Sequence, residues 1–112
     1  MTKTAVTSLF LLTLAAGPAL ADTTNTDQMH KDYMAPMSDM GQQMNQGVMA
    51  KDPDVAFAQG MLPHHQGAVD MAKVELKYGK DPEMRKLAET IIAAQNSEIE
   101  QLKAWLAKHP QK

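Results

Sequence analysis

Apolar residues recur at intervals of three and four along most of the chain, which is the pattern of amphipathic helices. The first such segment carries Met37, Met40, Met44 and Val48. Two longer segments follow, over residues 53–78 and 82–108. Strict alternation of apolar and polar residues, which marks a strand, does not occur in the sequence. The pattern predicts an all-α protein.

Asp-Pro pairs stand at the start of both longer segments, at Asp52-Pro53 and Asp81-Pro82. An Asp caps the free N–H groups of a helix and a Pro fits its first turn, so each pair predicts a helix start. Gly79 predicts the end of the second helix. We therefore expect a small helical bundle over residues 37–112, with two long antiparallel helices after a shorter, Met-rich N-terminal helix.

The first 21 residues have the features of a secretory signal. Lys3 supplies the positive start, an apolar run follows, and Ala19-Leu20-Ala21 is a cleavage site of small residues. The apolar run, about a dozen residues, is too short to span a bilayer as a helix. We expect cleavage after Ala21 and a periplasmic protein without a membrane anchor.

Residues 22–36 are polar and end at Pro36, which predicts a flexible arm ahead of the helical domain. The arm carries Met29, His30 and Met34. A polar arm has no core for these side chains to fill, which suits metal ligands, but it also gives them no fixed geometry. The sequence leaves their part in metal binding open.

The chain contains ten methionines and no cysteine. Without cysteine there are no disulfides, thiolate zinc sites or iron–sulfur clusters. A formal net charge of −2, few aromatic residues and no basic block argue against a nucleic-acid partner. A chain this short has a thin core, so pairing into a homodimer would stabilise it.

The segment from Met61 to Met71, MLPHHQGAVDM, holds the strongest pattern of metal ligands. Met61 precedes His64 and His65 by one helical turn, so its thioether can share an ion with either imidazole. The two histidines point about 100° apart around the helix axis. One ion held by both would need the bend that Pro63 can introduce. Met71 lies two turns beyond His64 and suits a neighbouring site.

Thioether and imidazole donors without thiolate select soft ions, Cu(I) first and Ag(I) as its mimic. Zinc is disfavoured because Met is not among its usual ligands. A single Met or His on a helical stripe is more typical of a core, and this alternative applies above all to Met37, Met40 and Met44. In a Met-rich chain devoid of Cys, the segment from Met61 to Met71 favours metal binding. We include Met40 and Met44 among the candidate ligands.

Gln95 and Glu98 interrupt the apolar face of the third helix. A carboxylate is almost never fully buried without a partner, and the candidates on the second helix are His64 and His65. Glu98 would then hold one imidazole by a hydrogen bond and fix which ring nitrogen faces a metal. The alternative is that Glu98 lies at the edge of the bundle and points into water.

Signatures of catalysis are missing from the sequence. The Glu-x-x-His spacing of di-iron bundles and the His-Glu-x-x-His motif of zinc proteases do not occur. No Gly-rich phosphate loop and no Ser/His/Asp set can be assembled. We therefore expect a protein that is not an enzyme.

Residues 53–107 resemble domain of unknown function family 305, which includes the CopM-type periplasmic copper-binding proteins. The resemblance rests on MLPHHQGA at residues 61–68, on Asp81-Pro82, and on the spacing of Gln95, Glu98 and Trp105. It implies a ferritin-like helical bundle that binds Cu(I) or Ag(I) in copper resistance or delivery. The implied ligands are Met61, His64, His65 and Met71, with Gln95 and Glu98 as the polar pair. Many members have Met where this chain has Leu102, so that ligand is lost here.

Two functions are therefore expected from the sequence. The first is a periplasmic protein that sequesters Cu(I) or passes it to a copper-accepting protein. The second is a metal-free helical chaperone or dimerisation module whose Met-rich surface takes apolar clients, since flexible Met side chains suit promiscuous binding.

Overall fold

The computed structural model describes residues 19–110, with side chains from residue 23 onward. Three helices make up this part of the chain: α1 (Ala19–Gly47), α2 (Pro53–Tyr78) and α3 (Pro82–Lys108). No strand occurs within the described residues, and the all-α prediction is confirmed. The expected signal peptide lies outside the described residues except for its last three positions, which begin α1. None of the described helices is long and apolar enough to cross a membrane.

The predicted starts of α2 and α3 are confirmed by their caps. The Asp52 carboxylate accepts hydrogen bonds from the backbone N–H groups of Asp54 and Val55, at 2.9 and 3.0 Å. Asp81 accepts one from the N–H of Met84 at 3.0 Å. Pro53 and Pro82 occupy the first turns. Two short connections thus force α2 to run antiparallel to both neighbours.

The predicted flexible arm is wrong, and so is the shorter N-terminal helix. Residues 22–36 belong to α1, which at 29 residues is the longest helix and contains Pro36 in its interior. Asp32 explains why this polar segment is ordered: its carboxylate accepts hydrogen bonds from Lys77 Nζ at 2.6 Å and from Tyr78 Oη at 2.7 Å, both on α2. Contacts with another helix stabilise a helix that its own sequence would support poorly.

The three helices form a single layer with α2 in the middle. In the part of the chain that the structure describes, α1 and α3 each pack on α2 and not on each other. The α1 side of α2 carries Gly60 and Gly67, where a β-carbon would crowd Val48 and overlap the Met40 thioether. The core is thin: the buried apolar residues are Val55, Ala58, Val69, Ala72, Val74, Ala88 and Ile99.

Candidate metal-binding site

A groove with a volume of about 570 Å³ lies between α2 and α3. Helical spacing brings its walls together, because α2 presents residues one turn apart and α3 runs antiparallel beside them. Its lining includes Phe57, Met61, His65, Glu98, Leu102 and Trp105. The groove therefore combines a thioether, an imidazole and a carboxylate with apolar walls.

The prediction that Glu98 meets a histidine of α2 is confirmed, and the histidine is His65. Nε2 of His65 pairs with the Glu98 carboxylate. His65 is 7% exposed, whereas the Glu98 side chain is 57% exposed. The carboxylate thus contacts the imidazole from the rim of the groove and keeps one side in water, so it avoids the full cost of burying a charge.

The other ring nitrogen of His65 has no partner. Nδ1 is buried and makes no hydrogen bond with any described residue. An ionised Glu98 accepts a hydrogen bond from the Nε2–H, and in the neutral ring this leaves a lone pair on Nδ1. A buried polar atom without a partner is costly, which makes Nδ1 of His65 a candidate ligand atom. Met61, one turn earlier on α2, lines the same groove.

His64 does not share this groove with His65. Its side chain is exposed, and the two imidazole rings are 6.0 Å apart between centroids with planes inclined at 58°. Pro63, which directly precedes His64, is inside α2. Successive helical positions point in different directions, so an ion held by both histidines through a bend at Pro63 stays a prediction.

The remaining candidate ligands lie on the α1 side of α2. Met40 packs its thioether on Gly67, and the antiparallel register puts Met44, one turn further along α1, at the level of His64. Met71 is half-exposed one turn beyond Gly67. The predicted ligands therefore divide into Met61 and His65 in the groove and a second group of Met40, Met44, His64 and Met71.

Gln95 is not among the residues that line the groove. It lies one turn before Glu98, and its buried Oε1 makes no hydrogen bond with any described residue. Sequence reasoning missed the wall formed by Phe57 and Trp105. Their spacing gave the signal, because Trp105 lies two turns beyond Glu98 and therefore on the same face of α3.

The His, Asp and Glu side chains of the described residues do not form clusters larger than a pair. Among the described residues, no three His, Asp or Glu side chains form a group that could hold a metal ion. The donors that do share a site are a thioether and an imidazole, Met61 and His65. Such a pair suits a soft ion.

Comparison with known proteins places the chain in a family. The chain is similar to "Uncharacterized protein L153" of Acanthamoeba polyphaga mimivirus, with 38% identity over 53 residues, which is 47% of this chain and 35% of the viral protein. The chain thus matches about a third of that relative's length. The model of the family described as "Domain of unknown function (DUF305)" matches residues 6–107. The chain belongs to this family.

Proposed function

We propose that this protein binds Cu(I), with Ag(I) as a mimic, through Met and His side chains. On this proposal it is a CopM-type member of its family, works in the periplasm after removal of residues 1–21, and sequesters the ion or passes it to a copper-accepting protein. Copper tolerance follows, because Cu(I) held in this way is kept away from oxidants.

The observation that carries the proposal is the state of the His65 ring. Glu98 engages Nε2, and Nδ1 is left without a partner in the described structure. Metal-ligating histidines usually donate their second ring N–H to a carboxylate, which fixes the ring and raises its basicity. The Met61 thioether beside it supplies the soft donor that favours Cu(I).

The other residues of the groove shape its environment. Phe57, Leu102 and Trp105 give it apolar walls, which limit access of water and of oxidants to a bound ion. Leu102 occupies a position where a Met would add a third donor. The groove therefore offers Met61 and His65 as ligands and Glu98 as the residue that orients one of them.

The test is a Cu(I) titration of the reduced protein against a competing chelator. Met61→Leu and His65→Ala should each weaken binding, and Met61→Leu should preserve the fold because Leu and Met are close in volume. Met84→Leu is the matched control, since Met84 lies on α3 outside the groove lining. Wild-type affinity in the Met61→Leu/His65→Ala double variant would disprove the assignment.

A further inference from the structure

The two faces of the three-helix layer differ in character. A depression on one face is lined by Gln43, Gln59, Gln66 and Lys103, together with Leu62, Pro63 and Leu106. Because these residues come from all three helices, the depression shows which side of each helix belongs to this face of the layer. The metal-binding groove, with Phe57 and Trp105, opens on the other face of α2 and α3.

Large apolar side chains are exposed on the groove side. On α1, helical spacing puts Met34 and Met37 opposite Gln43. On α3, Leu87 shares a face with Glu98 and Trp105. We call this surface the methionine face; by helical spacing its exposed large apolar residues are Met34, Met37, Phe57, Met71, Met84 and Leu87.

This surface is larger than a stable monomer normally leaves in water. Met34 is 62%, Phe57 64% and Leu87 48% exposed. Together these residues expose several hundred Å², comparable to the roughly 800 Å² that each partner contributes to a stable protein interface. Monomeric proteins rarely expose contiguous apolar patches of this size.

The architecture gives a second reason to expect a covering partner. A domain is normally built from two packed layers around a core. The described chain supplies one layer, and its buried apolar residues are mostly Val and Ala. The missing layer must have the length of these helices and an apolar face of its own.

We propose that a second copy of this chain covers the methionine face, so that two layers pack into a six-helix dimer. A second copy has helices of the same length and the same apolar face. Asp54 and Glu98 line the groove on this face, and the groove lining contains no Lys or Arg. An anionic membrane surface is therefore disfavoured as the occupant.

The dimer does not depend on the proposed metal function, and its test uses the full chain with a chelator present. Sedimentation equilibrium should give a dimer for the wild type. Phe57→Glu and Leu87→Glu should each raise the dimer dissociation constant by roughly 10- to 100-fold, because each places an unpaired carboxylate inside an apolar interface. Both positions are exposed within the layer, so far-UV circular dichroism should be unchanged.

Asn96→Glu is the matched control. Asn96 is exposed on α3, and it lies two turns before Lys103, which puts it on the opposite face of the layer. This variant should dimerise as the wild type does. If Phe57→Glu loses helicity, Phe57→Gln replaces it and should also weaken the dimer.

Three outcomes would overturn the proposal. The first is a wild-type chain that sediments as a monomer at about 100 μM, where a typical specific interface is saturated. The second is equal weakening by Asn96→Glu and Leu87→Glu. The third is a monomer that binds phosphatidylcholine–phosphatidylglycerol vesicles or an apolar client peptide through Phe57 and Leu87.

Discussion

At the scale of single residues, the contact between His65 and Glu98 is the feature on which the proposed copper site depends. The pattern of α3 predicted that Glu98 needs a partner on α2, and this was confirmed. It did not predict which of the two histidines that partner is. That choice depends on the rotation of α3 about its own axis relative to α2, and local spacing does not fix this rotation.

Replacing Glu98 by Gln should weaken Cu(I) binding by roughly 10- to 100-fold, the usual effect of removing a carboxylate that orients a ligating histidine. An amide keeps the shape of the side chain but not its charge, so the imidazole loses basicity while helicity persists. Chelator competition measures the affinity, and circular dichroism monitors the fold.

Glu100→Gln is the control for this variant. Glu100 is on the same helix but is not part of the groove lining. Its Oε1 lies 3.6 Å from Nζ of Lys103. Equal, negligible effects of both substitutions would reduce Glu98 to a rim charge without a role in metal binding.

At the scale of secondary structure elements, the approach of α1 to α2 depends on glycines. A β-carbon at Gly47 would come within 2.5 Å of the Gln59 backbone oxygen, whereas one at Gly41 would meet nothing within 4 Å. Backbone cannot move aside as a flexible side chain can. The two glycines thus lie on the same helix but have opposite structural roles.

Gly47→Ala should lower the free energy of unfolding by about 1–3 kcal/mol, the usual cost of overpacking. Gly41→Ala should raise it by about 0.5–1 kcal/mol, because Ala restricts the unfolded chain and favours helix. Urea denaturation measures both. A stabilised Gly47→Ala protein would show that α1 and α2 are not in close contact there.

The length of α1 could not be read from its apolar pattern, which begins at Met37. The N-terminal half of α1 is fixed by the hydrogen bonds from Lys77 and Tyr78 to Asp32. These contacts join residues 45 and 46 positions apart in sequence, so no local sequence pattern predicts them. The N-terminal caps of α2 and α3, and the end of α2 at Gly79, were predictable because capping depends on residues close in sequence.

The Asp32 contacts predict how the stability of α1 depends on pH. Hydrogen bonds from Lys77, then from Tyr78 and Gln28, hold the pKa of the Asp32 carboxyl well below its usual range. The same contact with Asp32 raises the pKa of Lys77. A carboxyl whose pKa is lowered on folding contributes stability above its unfolded pKa of about 3.9, and that contribution is lost as pH falls through the folded value.

Asp32→Asn should therefore melt at a lower temperature than the wild type at pH 7, and the difference should shrink progressively below about pH 4. Asp39→Asn, an exposed change on the same helix, should have little effect at either pH. A deficit in Asp32→Asn that persists unchanged at pH 2 would mean that the carboxylate charge is not what holds α1 to α2.

At the scale of the whole molecule, the absence of contacts between α1 and α3 divides the described chain into two helix pairs that share α2. The groove belongs to the α2–α3 pair, and the second group of candidate ligands belongs to the α1–α2 pair. The sequence predicted both groups of residues. It did not predict their separation, which follows from the opposite sides of α2 on which α1 and α3 pack.

This arrangement lets α1 open without disturbing α3. Local opening follows the sparsest contacts, and α1 has no buried apolar side chain in the described part of the chain. Amide protons of α1 should exchange with solvent faster than those of α2 in native-state hydrogen exchange. Uniform protection of all three helices would instead mean that the layer opens as one cooperative unit.

The layered arrangement also has a kinetic consequence. Each helix packs on the helix next to it in the chain, so the pairing that forms the groove closes a connection of a few residues between Tyr78 and Pro82. Contacts between neighbours in sequence form quickly. The α2–α3 hairpin can therefore form the groove of the proposed copper site before α1 packs on α2.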